Sequence, residues 1–279
     1  HCVTRRQRQM CIRDSSQPSR MVIIGAGAIG VEFAYIYNAF GTEVTLVEMM
    51  PRLVPVEDDD IGDALKKSYS RQGIKCLTDT KVIATESAGD SVRVTVENAK
   101  GSQVIEADIC LVAIGVVPVL PGGQLPEFTD RGWIQIGDRY ETSMRGVYAI
   151  GDIAGPPWLA HTAMYEATQC VDGIFLPEAT PSRVGTFPGC TYCYPEIASV
   201  GKTERELQEE GVAYKAGKFP YQALGKAQAA AETEGFIKLL FGEEHGELLG
   251  AHIIGANATD IIAETVSYTH LRAHETFAN

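Results

Sequence analysis

One stretch near the start of the chain restricts its fold more than any other, the run MVIIGAGAIG at residues 21–30. Four apolar residues lead into Gly25, and Gly25, Gly27 and Gly30 have the spacing G-x-G-x-x-G; an apolar segment of helical length then continues to Gly41. A strand buried on both faces of a parallel sheet reads as such an apolar run. The glycines allow, in order, a tight turn, a close backbone approach to a ligand and close packing of helix on strand. The stretch therefore predicts a strand, a phosphate-binding turn and a helix.

A second strand-like run follows this unit and ends in an acidic residue. Residues 43–47 read EVTLV, and Glu48 lies 18 positions after Gly30. Dinucleotide-binding folds place an acid at about this distance, where it binds the 2′-hydroxyl of a ribose. The alternative is an exposed glutamate after an ordinary strand. Because the whole βαβ pattern is present, we predict dinucleotide binding, and because a carboxylate repels a 2′-phosphate, we predict NAD rather than NADP.

The pattern of a nucleotide-binding domain continues to about Gly115. Acidic residues 57–60 open a predicted helix that ends at Gly73. Three short strand-like segments separated by turn residues then predict a small antiparallel β-meander. These segments are 81–86, 92–97 and 103–107. The apolar run ICLVAI at 109–114 predicts a further buried parallel strand.

The rest of the chain predicts two further units. The run GVYAIG at 146–151 predicts another buried strand, followed directly by Asp152, and a helix is predicted from His161 to Ile174. A carboxylate just beyond the end of a parallel strand lies where open α/β sheets bind ligands. In the last third, a capping box of Thr203 with Glu206, two strand-like runs and a final helix predict an α+β unit with an antiparallel sheet.

Composition excludes some classes of function. The formal net charge of −12 argues against a nucleic-acid backbone as the main partner. No apolar run reaches the roughly 18 residues of a membrane-spanning helix. The cysteines outside the two ends are scattered and odd in number, which predicts reduced thiols and a cytoplasmic protein. They are Cys76, Cys110, Cys170, Cys190 and Cys193.

Both ends of the chain are set apart from the predicted fold. RRQRQMCIRDS near the start and SYTHLRAHET near the end resemble translated sequencing-adapter read-through, so we expect residues 1–15 and 267–279 to be non-native tails. His270 and His274 are four residues apart, a spacing that would place two zinc ligands on one helix face. Because both lie in an expected tail without a third ligand, we predict no metal site.

A series of motifs occurs in a fixed order along the body of the chain. They are GAGAIGVE (25–32), VE (47–48), VAIGVVP (112–118), TSMRGVYAIGD (142–152), LAHTAMYEA (159–167) and CTYCYPEIASVGKTE (190–204). In this order they resemble the dihydrolipoamide dehydrogenase branch of the FAD-dependent pyridine nucleotide–disulfide oxidoreductases. The resemblance implies NAD and FAD as cofactors and a homodimer in the full-length protein. It also implies a partner, the lipoyl domain of a 2-oxo acid dehydrogenase complex or of the glycine cleavage system.

The resemblance implies an α/β protein of three parts between the two tails. They are a Rossmann-type NAD-binding domain with a β-meander (16–135), the C-terminal part of a FAD-binding domain (136–180) and a truncated α+β dimerisation domain (181–266).

The resemblance also implies roles for individual residues. Those against the NAD pyrophosphate would be Gly25, Gly27, Ala28, Ile29 and Gly30. Glu32 would reach the nicotinamide end and Glu48 the adenosine ribose, while Val82 would flank the adenine and Gly115 would line the NAD groove. Asp152 would bind the ribityl chain of FAD, and Leu159, Ala160 and His161 would lie near the flavin.

Two elements of the family pattern have no counterpart in this sequence. They are the redox-active C-x-x-x-x-C pair and the catalytic H-P-x-x-x-E segment, so we expect no catalytic residue in this chain and an inactive fragment. Cys190 and Cys193 form a C-x-x-C, but no thioredoxin-type pattern surrounds them. Two alternatives stay open: a glutathione- or mercuric-type reductase of the same family, and a stand-alone NAD-binding module without catalysis. Ala28, where glutathione reductases commonly have tyrosine, favours the lipoamide branch.

Overall fold

The structure is a computed structural model that describes residues 17–120, 122–176, 178–181 and 185–272. The chain divides into two compact units. The first unit comprises His1–Gly115 and Cys190–Asn279, and the second comprises Val116–Gly189. In the first unit, two stretches far apart in sequence therefore share one body. We refer to their described parts as the N-terminal segment (17–115) and the C-terminal segment (190–272).

The N-terminal segment contains two sheets. Its strands are β1 (Arg20–Ile24), β2 (Glu43–Val47), β3 (Lys75–Leu77), β4 (Lys81–Ala88), β5 (Ser91–Asn98), β6 (Gly101–Ala107) and β7 (Ile109–Val112). A parallel sheet has the order β3-β2-β1-β7, and an antiparallel meander has the order β4-β5-β6. The sequence predicted both sheets, and the α/β class is confirmed. The burial predicted for the strand at 109–114 is wrong, because β7 lies at the edge of the sheet and leaves Ile109 and Val112 exposed.

Two helices cover the parallel sheet, α1 (Ala28–Ala39) and α2 (Asp59–Gln72). The α2 helix begins at Asp58, whose carboxylate accepts from the amide of Asp60, and ends at Gly73 with φ of +88°. Such an end is typical of helices because glycine adopts the left-handed conformation without steric cost. Tyr69 is fully buried among the apolar side chains of α2 and donates its hydroxyl to the carbonyl of Val31 at 2.7 Å, which fixes α2 against α1.

The second unit is built around one helix, α3 (Ala160–Phe175), which confirms the helix predicted there. A short 3-10 turn, Gly151–Ala154, precedes it. The buried strand predicted at 146–151 is wrong. Among the described residues of this unit, Tyr148 forms only an isolated antiparallel bridge with Glu141, and its side chain is 40% exposed. The apolar run lacks neighbouring strands to complete a sheet, so it forms an extended connection instead.

The C-terminal segment adds a five-stranded antiparallel sheet in the order β10-β11-β12-β9-β8. The strands are β8 (Gly189–Thr191), β9 (Ile197–Gly201), β10 (Tyr214–Pro220), β11 (Gly235–Gly242) and β12 (Leu248–Gly255). The helices are α4 (Glu204–Glu209), α5 (Gly225–Ala230) and α6 (Ala258–Arg272). The predicted capping box of Thr203 with Glu206 opens α4 and is confirmed, as is the α+β character.

The domain boundaries predicted at 135/136 and 180/181 stay a prediction. In the described part of the chain, no helix has both the length and the apolar character needed to cross a membrane.

Candidate dinucleotide-binding site

The glycine turn between β1 and α1 is held so tightly that two of its glycines are required by the protein itself. Gly25 has φ of +98° and donates its amide to the carbonyl of Val47 at 2.8 Å. A Cβ on Gly25 would lie 2.5 Å from the carbonyl oxygen of Ala113, and one on Gly30 would lie 1.9 Å from that of Gly25. Both separations are far below van der Waals contact. The turn therefore joins β1, β2 and the residue after β7 at one edge of the sheet.

Gly27 is different, because a Cβ at this position would meet no protein atom within 4 Å. It is the N-cap of α1, and its φ of −68° is open to any residue. The first helical hydrogen bond runs from the amide of Val31 to the carbonyl of Gly27, so the preceding amides of Ala28, Ile29 and Gly30 face the end of the helix. No acidic side chain stands in the first turn. This combination leaves a positive, sterically open helix end that fits a phosphate group.

Glu48 lies directly behind this turn and is only 8% exposed. Its Oε2 accepts from the amide of Ala26 at 2.7 Å, and its Oε1 accepts from the amide of Met50 at 2.8 Å. The carboxylate thus ties the end of β2 to the glycine turn. Each carboxylate oxygen has a second acceptor site, so these contacts leave capacity for the hydroxyl of a bound ribose.

The other residues predicted for this site are more widely distributed. Glu32, on α1, accepts through Oε1 from the amide of Tyr192 at 2.8 Å, so its carboxylate is engaged by the C-terminal segment. Val82 is half-buried in an apolar cluster with Val22 beneath the meander. Gly115 has φ of +133°. The structure joins the glycine turn to Glu48 by hydrogen bonds, whereas the roles predicted for these other three stay predictions.

The residues predicted to contact FAD lie in the second unit, around the N-terminal end of α3. Asp152 is exposed in the 3-10 turn, and that turn packs on α3 because the amide of Gly151 donates to Glu166 at 2.7 Å. Leu159 is the N-cap of α3 and offers no side-chain cap, while Ala160 and His161 are exposed in the first turn.

Two polar groups in this first turn bear on the predicted FAD site. His161 Nε2 lies 3.0 Å from the carbonyl of Pro188, and the buried hydroxyl of Thr162 has no hydrogen-bond partner in the structure. An uncapped helix end next to an orphaned hydroxyl fits a polar group such as the flavin edge, and the individual roles stay predictions.

The cysteine pair shows no sign of redox activation. Burial raises the pKa of the Cys193 thiol to about 12, and burial also raises the pKa of Cys190. Because the thiolate is the reactive form, both shifts suppress its chemistry at neutral pH. All five cysteines among the described residues are free thiols.

A charged cluster that was not predicted from the sequence joins the two segments of the first unit. The Lys238 side chain is 3% exposed, and its ammonium contacts Asp58 at 2.6 Å, Asp60 at 3.0 Å and Glu204. Three carboxylates this close together resemble a cation site, but the lysine itself supplies the positive charge. A signal for this cluster was present, since Lys238 shares the inward face of β11 with Phe236 and Leu240, and a buried lysine requires acidic partners.

The electrostatics of this cluster favour the charged forms. Burial opposes the charge of Lys238, but hydrogen bonds to Asp58, Glu204 and Asp60 outweigh it and raise its pKa above the ordinary value. Burial likewise acts to raise the pKa of Asp58 and Asp60, and the hydrogen bond from Lys238 outweighs it, so both pKa values lie below the usual range.

The predicted absence of a zinc site at His270 and His274 concerns side chains outside the described residues.

Comparison with known proteins gives a consistent result over almost the whole chain. Residues 4–167 match the family described as pyridine nucleotide-disulphide oxidoreductase, and residues 187–277 match the dimerisation domain of that family. Dihydrolipoyl dehydrogenase of Rhizobium etli is 41% identical over 270 residues, covering 95% of this chain and 56% of that protein. Dihydrolipoyl dehydrogenase 2, mitochondrial, of Arabidopsis thaliana is 40% identical, covering 89% of this chain and 50% of that protein.

Solved structures agree on the fold. The HOCl-induced flavoprotein disulfide reductase RclA from Escherichia coli superposes with a TM-score of 0.82 at 24% identity, covering 91% of this chain and 59% of that one. The chain spans about half the length of the curated relatives it matches.

Proposed function

The chain belongs to the pyridine nucleotide-disulphide oxidoreductase family, and on that premise we propose that it forms the NAD-binding and dimerisation parts of a dihydrolipoyl dehydrogenase. The proposed reaction converts a dihydrolipoyl group and NAD⁺ into a lipoyl group and NADH. One observation supports the nucleotide assignment most directly. A side chain at Gly27 would contact no protein atom, and Gly27 lies at an open helix N-terminus next to Ala26, whose amide donates to Glu48. Identity of about 40% to dihydrolipoyl dehydrogenases supports the choice within the family.

The chain's own residues would bind and orient the two cofactors. The amides at the start of α1 would hold the NAD pyrophosphate, and Glu48 would accept from the adenosine ribose. FAD, when bound, supplies the two-electron relay between a dithiol and the nicotinamide. The uncapped first turn of α3 would present its amides to the flavin, with Asp152 at the adjoining turn binding the ribityl chain.

Nucleotide choice is tested by titrating the purified chain with NADH and NADPH and following the fluorescence of the reduced nicotinamide. A carboxylate at the ribose repels a 2′-phosphate, so we expect NADH to bind at least about tenfold more tightly than NADPH. Equal affinities would contradict the role of Glu48. A chain that is folded by circular dichroism but binds neither nucleotide would contradict the nucleotide assignment itself.

The activity is tested by extending the coding sequence in both directions. We expect a C-x-x-x-x-C segment upstream and an H-P-x-x-x-E segment downstream in the same frame, and lipoamide-dependent turnover by the extended product. Preferential reduction of oxidised glutathione or Hg(II) would favour the reductase alternative. An extended frame without either segment would favour a stand-alone NAD-binding module.

The match to a dimerisation domain indicates a homodimer for the family. For the macromolecular partner we propose a lipoyl domain of a 2-oxo acid dehydrogenase complex or of the glycine cleavage system, since the proposed substrate is a protein-bound dihydrolipoyl group.

The free thiols of the described residues support a reducing compartment, and we propose the cytoplasm.

A further inference from the structure

The loop between β2 and α2, residues 49–58, is fastened to the glycine turn at one end. The amide of Val54 donates to the carbonyl of Ala26 at 2.8 Å, and the amide of Met50 donates to Glu48 at 2.8 Å. Since Ala26 also donates its own amide to Glu48, this residue of the glycine turn is held through both its amide and its carbonyl. The conformation of the turn therefore depends on the position of this loop.

The other end of the 49–58 loop is fastened to the C-terminal segment, by Arg205 of α4. One guanidinium nitrogen donates to the carbonyl of Pro55 at 3.0 Å, and another contacts Asp59 at 2.7 Å. Next to it, Asp58 accepts from the amide of Glu204 at 3.1 Å. The planar guanidinium presents donors in a fixed fork, so it holds a carbonyl and a carboxylate simultaneously.

Two features indicate that the loop needs this support. Val54 has φ of +43°, a conformation that costs free energy for a β-branched residue and persists only when the surroundings enforce it. A cavity of about 380 Å³ is lined by the loop and by Arg205. Leu53 and Val54 are buried in the apolar core, whereas the Pro55 end of the loop borders this cavity and is held there by the hydrogen bond from Arg205.

We propose that Arg205 is a positioning residue for the NAD site, which acts through the 49–58 loop on Ala26 and Glu48. This inference rests on the proposed NAD binding at the glycine turn. Without the fork of Arg205, the loop populates other positions, and the apparent affinity falls in proportion to the population that remains competent. The effect belongs to the adenosine and pyrophosphate half of the ligand, because that is the half the loop supports.

The test compares two arginines that both join the N-terminal and C-terminal segments. Arg205→Met keeps the apolar stem and removes both contacts. Arg71→Met is the matched control, because Arg71 pairs with Glu234 across the same two segments and neither residue lies in the loop. The dissociation constants of NADH and ADP-ribose are measured on the full chain at a temperature where circular dichroism shows every variant folded, and the melting temperatures are recorded.

We expect Arg205→Met to raise the dissociation constants of NADH and ADP-ribose by the same factor, about fivefold. Arg71→Met should leave both dissociation constants unchanged, although it lowers the melting temperature by a similar amount. Arg205→Lys restores only part of the affinity, since one ammonium does not reproduce the fork. Equal affinities of Arg205→Met and wild type would overturn the proposal while leaving NAD binding intact. Equal weakening by both methionine variants would overturn it too, in favour of a general stability effect. Absence of NADH binding by the folded wild type would instead reject the proposed function.

Discussion

At Gly27 a side chain would point into open space, whereas at Gly30 it would reach the carbonyl oxygen of Gly25 at 1.9 Å. The glycine spacing alone does not distinguish these two requirements. Contacts within the protein require glycine at positions 25 and 30, whereas they set no such requirement at Gly27, for which we propose contact with the NAD pyrophosphate. This distinction makes the fingerprint testable one residue at a time.

We expect Gly27→Ala to change the free energy of unfolding by no more than about 0.5 kcal/mol, because its methyl group meets no protein atom. The methyl group would occupy the approach to the pyrophosphate, so NADH affinity should fall by at least about tenfold. Gly30→Ala is the contrasting variant and should cost about 1–3 kcal/mol of stability through overpacking. Urea unfolding and NADH titration measure the two effects, and unchanged NADH affinity in Gly27→Ala would contradict the assignment.

At the scale of elements, the N-terminal end of α2 is a charged junction between elements of the first unit. The carboxylates of Asp58, Asp60 and Glu204 all contact the ammonium of Lys238. Lys238 belongs to β11 and lies 180 residues after Asp58 and 178 residues after Asp60. Removing one partner of a buried ion pair costs far more than the pair contributes, because the remaining charge is left uncompensated. The junction therefore joins α2, α4 and β11 into one unit of stability.

We expect Lys238→Met to lower the free energy of unfolding by about 3–5 kcal/mol at pH 7. Lys215→Met, at an exposed lysine of β10, is the control and should change it by less than about 0.5 kcal/mol. The wild-type stability also has a predicted pH dependence. Because the folded-state pKa of Asp58 lies below its ordinary 3.8, its contribution is present above that value and is lost as the pH falls through the folded-state pKa.

Urea unfolding at pH 7, 5, 4 and 3 measures both effects. The wild type should keep the contribution of Asp58 to its free energy of unfolding down to about pH 4 and lose it at lower pH. Between pH 4 and pH 3 the free energy of unfolding of Lys238→Met should therefore fall by less than that of the wild type. Parallel curves for the two proteins would contradict the assigned ion cluster.

Local sequence patterns predicted the elements, and long-range contacts account for what they missed. The segment VRVTVE alternates apolar and polar residues, and β1, β2 and β7 lie in short continuous apolar runs. Both patterns are local, so they predict strands without knowledge of the neighbouring elements. The run at 146–151 has the same composition, but a strand also needs a ladder of partners, and among the described residues of the second unit this run forms a single isolated bridge, between Tyr148 and Glu141. The contact between Glu32 and Tyr192 spans 160 residues and leaves no local signal, and the role of Glu32 near the nicotinamide stays a prediction.

At the scale of the whole molecule, the first unit combines the glycine turn, our proposed NAD site, with an antiparallel sheet that is separate in sequence but lies in the same compact unit. A ligand that binds only the folded state stabilises every part that unfolds together with its site. If the first unit unfolds cooperatively, nucleotide binding at the glycine turn should therefore be detectable in strands of the C-terminal segment.

We expect saturating NADH to slow amide hydrogen exchange in β11 and β12 as well as in β1 and α1. At a concentration of 100 times the dissociation constant, the gain in global stability is about 2.7 kcal/mol. Mass spectrometry of peptic peptides measures the exchange in each segment. In Lys238→Met, NADH should slow the exchange in β11 and β12 by less than in the wild type. Protection confined to peptides of the N-terminal segment would show that the two segments open independently.

Asp58 caps α2 and also accepts a hydrogen bond at the start of α4, whose own N-cap is Thr203. Its Oδ1 accepts from the amide of Asp60 in α2, and its Oδ2 accepts from the amide of Glu204, the first residue of α4. A recombination point anywhere between these helices therefore separates one carboxylate from two of its three hydrogen-bond donors, the amide of Glu204 and the ammonium of Lys238. Chimeras with relatives of this family should remain stable only when the parent sequences agree at both helix starts and at the buried lysine of β11, so these positions must be inherited together.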